Sequence, residues 1–261
     1  MKINIKCPIC SKSLIINNKT YICDNNHCYD LSKDGYVNLS HHSLKIKGDN
    51  DELVNSRNNF LRSDNYLLLR NKLNEIINNI NPDNILDLAC GTGYYTNTYN
   101  SKFDIYGIDL SKKAISLACK KSNNKYIIGS IFELPFYNSS FDIITLIFAP
   151  RPLEEIKRVL KKDGIFIEVI PNKNHLIELK NAIYDNTILN EVPVLNDSSL
   201  IIEDSHTVEL IMNLDKSHIK DLFNMTPYKY KTSIENINKL NNIENLDITA
   251  SFIINIYKKI N

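Results

Sequence analysis

Glycine, methionine and tryptophan are rare in this chain of 261 residues, which has seven glycines, three methionines and no tryptophan. A charge excess of one sign is also missing, because 31 lysines and arginines oppose 30 aspartates and glutamates. This balance excludes a global electrostatic argument for nucleic-acid binding. The first fifty residues nevertheless hold seven lysines against four aspartates, a local excess of +3. Because glycine is scarce, each one is a stronger sign than usual that the backbone needs it.

Long apolar runs are absent as well. The strongest, "FDIITLIFAP" at residues 141–150, has the length of a strand and is too short to span a bilayer. The opening "MKINIKC" has no apolar core of a signal peptide. We therefore expect a soluble, cytoplasmic protein without a membrane partner, large enough for one main domain and a small additional one.

Sulfur is concentrated near the start of the chain. Four of the six cysteines lie in "CPICSKSLIINNKTYICDNNHC", where Cys7-x2-Cys10 and Cys23-x3-His27 are separated by twelve residues. In an intracellular protein such clusters are more often metal ligands than disulfides. Two pairs at this spacing fit a closed tetrahedral zinc site, which is structural because it leaves no position for a substrate. Cys28, beside His27, is an alternative fourth ligand that the spacing does not exclude.

The segments that follow alternate between helical and extended patterns. "YDLSKDGYVNLS" predicts a hairpin or extended segment around Gly35, and "HHSLKIKGDNDE" predicts a polar linker. Residues 51–77 have helical periodicity that is broken near Ser63 and Asp64. These two residues predict the N-cap of a second helix. Residues 152–164 predict a helix that ends at Gly164. Alternating strands and helices indicate a doubly wound parallel sheet, which the late strands "TVELIMNL" and "ASFIINIYKK" complete.

A glycine turn follows the first strand of this sheet. It has the form Asp87-x-Ala89-x-Gly91-x-Gly93, precedes a predicted helix, and is followed by Asp109 at the end of the second strand. Glycines there let a ligand approach the backbone, and a carboxylate at that position suits two ribose hydroxyls. The pattern differs from the G-x-G-x-x-G of nicotinamide enzymes, and it points away from a pyrophosphate ligand.

These motifs together resemble one family over nearly the whole chain. The matching segments are "CPIC…YIC…H", "KDGYVNL", "LDLACGTGYYT", "GIDLSKKAI", the "AP" at residues 149–150, "HLIELK" from residue 175 and "MTPYKY" from residue 225. The glycine turn is common to many methyltransferases, whereas the zinc module joined to "DGYVNL" and the late "MTP" are far more specific. The sequence resembles the 23S ribosomal RNA (guanine-N1)-methyltransferases.

The resemblance implies an α/β fold in two parts. A small zinc-binding, RNA-contacting module over residues 1–45 would precede a Rossmann-like class I methyltransferase domain over residues 46–261. It also implies a homodimer, 23S ribosomal RNA as partner, and two cofactors, structural Zn²⁺ and S-adenosyl-L-methionine. Zinc would be bound by Cys7, Cys10, Cys23 and His27, which excludes Cys28.

Cofactor binding is assigned partly by the resemblance and partly by the glycine turn. The candidate residues are Tyr66, Asp87, Gly91, Thr92, Gly93, Asp109 and His175. One departure is Ala89, which stands where the family usually has glycine and is tolerable without strain only if its φ is negative.

The reaction implied is methylation of N1 of a hairpin-loop guanine. The sequence "FAPRP" after the fourth strand lacks the N-P-P-Y type of box used on exocyclic amines, which favours a ring nitrogen. No residue is identified as catalytic, although Glu133 and Glu168 are acidic candidates for the base near strand ends. The alternative is a small-molecule methyltransferase in which the zinc knuckle is purely structural.

Overall fold

The structure is a computed structural model that describes residues 3–40 and 48–260 of the chain. The predicted boundary between residues 45 and 46 and most of the predicted polar linker lie outside these ranges. Within them, no helix combines the length and the apolar character needed to cross a membrane.

The N-terminal module is a small antiparallel sheet built around the cysteine turns. Its strands, paired in chain order, are β1 (Ile5–Lys6), β2 (Ser13–Asn17), β3 (Thr20–Ile22) and β4 (Cys28–Asp30). The predicted turn around Gly35 is confirmed, since Gly35 has a φ of 99° and Leu31 pairs with Val37 across the turn. A sheet of such short strands buries little apolar surface by itself, so a bound metal would contribute folding free energy that the sheet alone lacks.

Eight strands form the main sheet. They are β5 (Val37–Asn38), β6 (Asn84–Leu88), β7 (Asp104–Asp109), β8 (Lys125–Ile128), β9 (Phe141–Ile147), β10 (Leu160–Pro171), β11 (Leu200–Asp215) and β12 (Asn245–Lys259). Their spatial order is β11-β12-β10-β9-β6-β7-β8-β5. The strands from β10 to β5 in this order are parallel, whereas β12 is antiparallel to both of its neighbours. The predicted α/β sheet is confirmed, and its parallel part ends before the last two strands.

Helices cover both faces of this sheet. They are α1 (Asp51–Arg62), α2 (Leu67–Ile80), α3 (Lys112–Cys119), α4 (Leu153–Val159), α5 (Ile177–Ile183), α6 (Lys216–Asn224) and α7 (Ile234–Leu240). On α2, Leu69, Leu73 and Ile77 recur at helical spacing and are buried against strand residues such as Ile85. Ser111 is the N-cap of α3, and its side chain accepts a hydrogen bond from the Ala114 N–H.

The N-terminal module is packed onto the main sheet rather than tethered beside it. Strand β5 adds to the edge strand β8 in parallel, and the Leu39 N–H donates to the Ile128 carbonyl at 2.8 Å. The Lys6 N–H donates to the Pro135 carbonyl, also at 2.8 Å. Apolar residues of the module, including Leu14, share one core cluster with residues of the central strands. The two parts of the chain therefore form one packed body.

Ser63 and Asp64 do not form the predicted N-cap. Ser63 is the C-terminal cap of α1, and Asp64 adopts a left-handed φ of 57° between the two helices. The second helix, α2, begins after Tyr66 without a side-chain cap, whereas the first helix, α1, is capped by Asn50, which accepts from the Leu53 N–H. Asp64 instead forms an ion pair with Arg70 at 3.1 Å, so it serves the connection between the helices.

Two predicted helices are shorter than the pattern indicated. After the glycine turn the chain forms a 3-10 turn, Thr96–Thr98, in place of the predicted helix, and the Thr96 hydroxyl there donates a hydrogen bond to Asp87. The helix predicted to end at Gly164 ends at Val159, and Gly164 lies inside β10. Leu160 is fully buried and pairs with Phe141, so tertiary pairing overrides the local helical preference.

Candidate functional site

The structure brings the four predicted zinc ligands together. The Sγ atoms of Cys7, Cys10 and Cys23 and a ring nitrogen of His27 all lie within 4.8 Å of one another. The Cys10 and Cys23 sulfurs are 3.6 Å apart, and His27 Nδ1 is 3.4 Å from Cys7 Sγ. Zn–S bonds of about 2.3 Å in a tetrahedron separate two sulfurs by roughly 3.8 Å. This donor set therefore fits zinc both in chemistry and in size.

Cys28 stands outside this cluster. Its side chain is exposed and its thiol donates to the Asn26 carbonyl at 3.4 Å. Asn26 has a left-handed φ of 61°, which turns the chain so that His27, and not Cys28, faces the other three side chains.

The glycine turn lies at the carboxyl end of β6 and leaves open space beside its backbone. Gly91 has a φ of 54°, and no heavy atom of the described residues lies within 4 Å of the position that a Cβ would take. Its N–H donates to Asp109 Oδ2 at 2.9 Å, while Ser111 N–H donates to Oδ1 at 2.7 Å. Burial raises the pKa of Asp109 and these two donors oppose that rise. A carboxylate beside an open, side-chain-free turn fits the ribose of a nucleoside ligand.

Gly93 and Thr92 have a different environment from Gly91. A Cβ on Gly93 would lie within 3 Å of Asn97, Ala118 and Tyr126, so this glycine allows close packing against the neighbouring helix and strand. Thr92 is buried at 4% exposure. The structure thus leaves Gly91 as the residue of the turn with space for a ligand.

Asp87 lies buried beneath the turn. Thr145 Oγ1 donates to Asp87 Oδ1 at 2.8 Å, and the Thr96 hydroxyl donates to Oδ2. Burial raises the pKa of Asp87 to about 6, and the two hydroxyl donors only partly compensate. Because both oxygens are bonded within the protein, the carboxyl group holds the turn, β9 and the 3-10 turn together.

Tyr66 and His175, which are far apart in the sequence, meet at one aromatic cluster. Phe252 on β12 packs against Tyr66 with a centroid distance of 4.9 Å and against His175 at 4.7 Å. Phe148, which follows β9, contacts the same Phe252 ring at 5.3 Å. Tyr66 is buried at 2% exposure, so its ring forms part of the wall rather than a free surface.

The His175 ring is held in one tautomer. The Ser251 N–H donates to its Nδ1 at 3.3 Å, so in the neutral ring Nε2 carries the proton. Burial, helped by the charge of Lys180, lowers the pKa of His175 to about 3. At neutral pH this histidine is therefore a hydrogen-bond donor through Nε2, and it is not a general base at that atom.

The two acidic candidates for the base have different environments. Both Glu168 oxygens accept hydrogen bonds from the Arg151 guanidinium, at 2.8 and 2.6 Å, and the side chain is buried. Glu133 is exposed on the loop after β8. This geometry disfavours Glu168 as the base, because its carboxylate is already paired with a bidentate cation.

The sequence patterns do not single out Phe148 or Arg151 as site residues. Both belong to "FAPRP", a segment that is informative in the sequence only because it lacks the N-P-P-Y type of box. Phe148 is 44% exposed, unusual for phenylalanine directly after a central buried strand. An aromatic residue directly after a strand end is expected either to be buried or to contact a ligand. The position of Phe148 after β9 is therefore the signal by which the sequence could have indicated a site residue.

A parallel sheet with a glycine turn and a carboxylate at its carboxyl edge defines a nucleoside-binding α/β protein, and the family comparison narrows this class. A family model described as a methyltransferase domain matches residues 81–226, more than half of the chain. The chain belongs to this methyltransferase domain family. A second model, the N-terminal zinc ribbon described as "RlmA, N-terminal", matches residues 5–40. These matches confirm S-adenosylmethionine and structural zinc as the cofactors.

Three similar proteins show how far the likeness extends. YxjB of Bacillus subtilis, provisionally named a 23S rRNA (guanine-N1)-methyltransferase, is 29% identical over 94% of this chain and 93% of its own. The 23S rRNA (guanine(748)-N1)-methyltransferase of Streptomyces fradiae is 29% identical over 69% of this chain and 67% of its own. The demethylmenaquinone methyltransferase of Thermotoga maritima is 36% identical, but over only 39% of this chain and 50% of its own. The predicted resemblance to the zinc-module rRNA methyltransferases is confirmed.

Proposed function

We propose that this protein transfers a methyl group from S-adenosylmethionine to N1 of one hairpin-loop guanine in 23S ribosomal RNA, in the cytoplasm. The observation that carries the proposal is the position of the zinc module on the main sheet. The Leu39 N–H of the module donates to the carbonyl of Ile128, the last residue of β8, so this part of the module lies at the carboxyl end of that strand. The glycine turn leaves the carboxyl end of β6 at the same edge of the sheet. An RNA that contacts the module can therefore reach the cofactor edge.

The names of the full-length relatives support this choice over a small-molecule substrate. YxjB is similar along both the zinc ribbon and the methyltransferase domain, whereas the demethylmenaquinone enzyme covers a minor part of the chain. A fused module at the substrate edge is what a large RNA substrate needs. A small molecule enclosed at the turn would not require one.

Residue roles follow as part of the proposal. Cys7, Cys10, Cys23 and His27 hold zinc, and Gly91 and Asp109 bind the nucleoside of the cofactor, beside the buried Thr92. Tyr66 and His175 complete its pocket, while Asp87 and Gly93 shape the turn. The division at residues 45 and 46, and a homodimer in solution, remain predictions.

The chemistry required of the protein is mainly positional. The cofactor supplies an activated methyl group on a positively charged sulfur. With the cofactor bound, guanine N1 would accept the methyl group and release its proton to solvent, and the sulfur would keep the electron pair of the broken bond. The protein contributes by holding the acceptor nitrogen in line with the carbon and sulfur. The Nε2–H of His175 is a donor that can orient a ligand atom beside Tyr66.

An RNA hairpin with inosine in place of the target guanosine tests the acceptor atom. Reverse-transcription stops on 23S RNA from cells with and without the gene first locate the guanine, because N1 methylation blocks base pairing. Two synthetic hairpins, with guanosine or inosine at that position, are then incubated with enzyme and labelled cofactor. Inosine keeps N1 and lacks the exocyclic amine, so we expect both hairpins to be labelled.

Two outcomes would contradict the proposal in different ways. A labelled guanosine hairpin that yields N2-methylguanosine, with an inert inosine hairpin, would move the reaction to the exocyclic amine. Cofactor binding without any labelling of 23S RNA or its hairpins would support the small-molecule methyltransferase with a purely structural zinc knuckle.

A further inference from the structure

Phe148 has two properties that rarely occur together. It is a bulky residue with a left-handed φ of 56°, a conformation that costs free energy for any residue with a Cβ. It also leaves 44% of its side chain exposed, so burial does not repay this strain. Strained residues that persist in a fold cluster at sites where their side chain has a task.

The surrounding structure holds Phe148 in this conformation. Its N–H donates to the Val169 carbonyl of β10 at 3.1 Å. Three residues later, the Arg151 guanidinium makes two parallel hydrogen bonds to Glu168 of the same strand, at 2.8 and 2.6 Å. Both ends of the segment 148–151 are thus fixed to β10. The planar guanidinium of Arg151 fixes the C-terminal end of the segment.

The position of Phe148 is next to the glycine turn. Leu88 of β6 pairs with Leu146 of β9, so the turn after β6 and Phe148 after β9 leave neighbouring strands at the same edge. One side of the Phe148 ring is occupied by Phe252 at 5.3 Å and by the edge of Tyr66 at 6.4 Å. The rest of the ring faces solvent at the edge where an acceptor base must approach the cofactor.

We propose that the target guanine stacks on Phe148, and that Arg151 positions this ring through its pair with Glu168. The inference rests on the proposed function. A purine taken out of an RNA loop loses stacking on its neighbours, and an aromatic side chain restores it. A fixed ring beside the turn also orients the base, which an exposed, freely rotating side chain would not do.

Phe148→Leu and Phe148→Tyr form a matched pair for the test. Leucine keeps apolar contact with Phe252 and removes the flat ring, whereas tyrosine keeps the ring. With the guanosine hairpin we expect Phe148→Leu to lower kcat/KM by roughly 10- to 100-fold, the scale of removing one base–aromatic stack. Phe148→Tyr should stay within about threefold of wild type. Calorimetric affinity for S-adenosylmethionine, unchanged within about twofold in both, shows that the fold and cofactor site are intact.

Arg151→Lys tests the positioning role separately. Lysine keeps the charge but cannot make the bidentate contact, so kcat/KM should fall while cofactor affinity stays. Because Arg151 acts through the ring, Arg151→Lys should have little additional effect in the Phe148→Leu background. Additive losses in the double variant would contradict this role.

The failures of the two proposals are distinguishable. A wild-type protein that labels the hairpin, with a Phe148→Leu variant of equal kcat/KM, overturns the stacking proposal alone. A wild-type protein that binds cofactor and labels no RNA overturns the proposed function, and the stacking proposal falls with it.

Discussion

His175 connects the candidate site to the pH dependence of folding. Its Nδ1 is fixed as an acceptor by the Ser251 N–H, and its ring packs on Phe252. Burial lowers its pKa to about 3 in the folded protein, against an ordinary value of about 6.5. Between these values the unfolded chain binds a proton that the folded protein does not. Stability therefore falls as the pH falls through this range.

Replacing His175 should make the protein less sensitive to acid. We expect wild-type protein to lose up to about 1 kcal/mol more per pH unit than His175→Gln between pH 6 and pH 5, because glutamine has no proton to gain. Urea unfolding of both proteins without cofactor at pH 7, 6 and 5 measures the difference. Parallel curves for the two proteins would show that the folded state accepts the proton readily and would contradict the buried, neutral imidazole.

Ala89 shows where residue-level prediction from the sequence ends. The spacing locates the turn correctly, because strand, glycine and acidic residue have fixed offsets in this type of fold. It does not predict the sign of φ at Ala89, which is +53°, in the left-handed region that favours glycine. The same holds for Phe148. Backbone strain at such positions arises from the packing of whole strands. Because this chain has few glycines, no glycine in the local sequence marks the strained positions.

At the scale of elements, the zinc module is an extension of the main sheet. Strand β5 pairs with β8, and Ile5 and Leu14 lie in the same core cluster as Leu86 and Leu88. The sequence predicts the module, since paired cysteines at these spacings indicate zinc without reference to the rest of the chain. It does not predict the docking, because a two-residue strand such as Val37–Asn38 has no periodicity of its own.

Removing zinc should therefore destabilise the whole protein. The apolar residues of the module would lose their arrangement and leave part of the central core exposed. We expect calorimetry to show one unfolding transition that moves to lower temperature in excess chelator. His27→Ala should lower the transition similarly, and Cys28→Ser, outside the cluster, is the matched control that should keep both zinc and the wild-type transition.

Two separate transitions, with the larger one unaffected by chelator, would show that the module folds independently of the sheet. Loss of zinc from Cys28→Ser with retention in His27→Ala would show that the ligand set is wrong. The first outcome concerns the packing of the elements, and the second only the metal site.

At the scale of the molecule, positive charge is distributed unevenly although its sum is nearly zero. The excess of +3 in the first fifty residues leaves −2 for the remainder of a chain with a net charge of +1. Lys12 and Lys19 are both exposed on the N-terminal module. If the proposed function holds, we expect these lysines of the module to contact RNA phosphates.

The last prediction separates RNA binding from cofactor binding by charge. Neutralising a phosphate releases counterions, so the slope of log K against log salt falls in magnitude by about 0.7–0.9 for each phosphate that a variant no longer neutralises. The double variant Lys12→Ala, Lys19→Ala should therefore bind the hairpin more weakly at low salt, with a slope about 1.5 smaller in magnitude, and should bind S-adenosylmethionine normally. Lys102→Ala is the matched control, because Lys102 is exposed just before β7 and lies outside the N-terminal module. An equal weakening in the control would show that the charge acts only globally, and an unchanged slope in the double variant would place the RNA elsewhere on the protein.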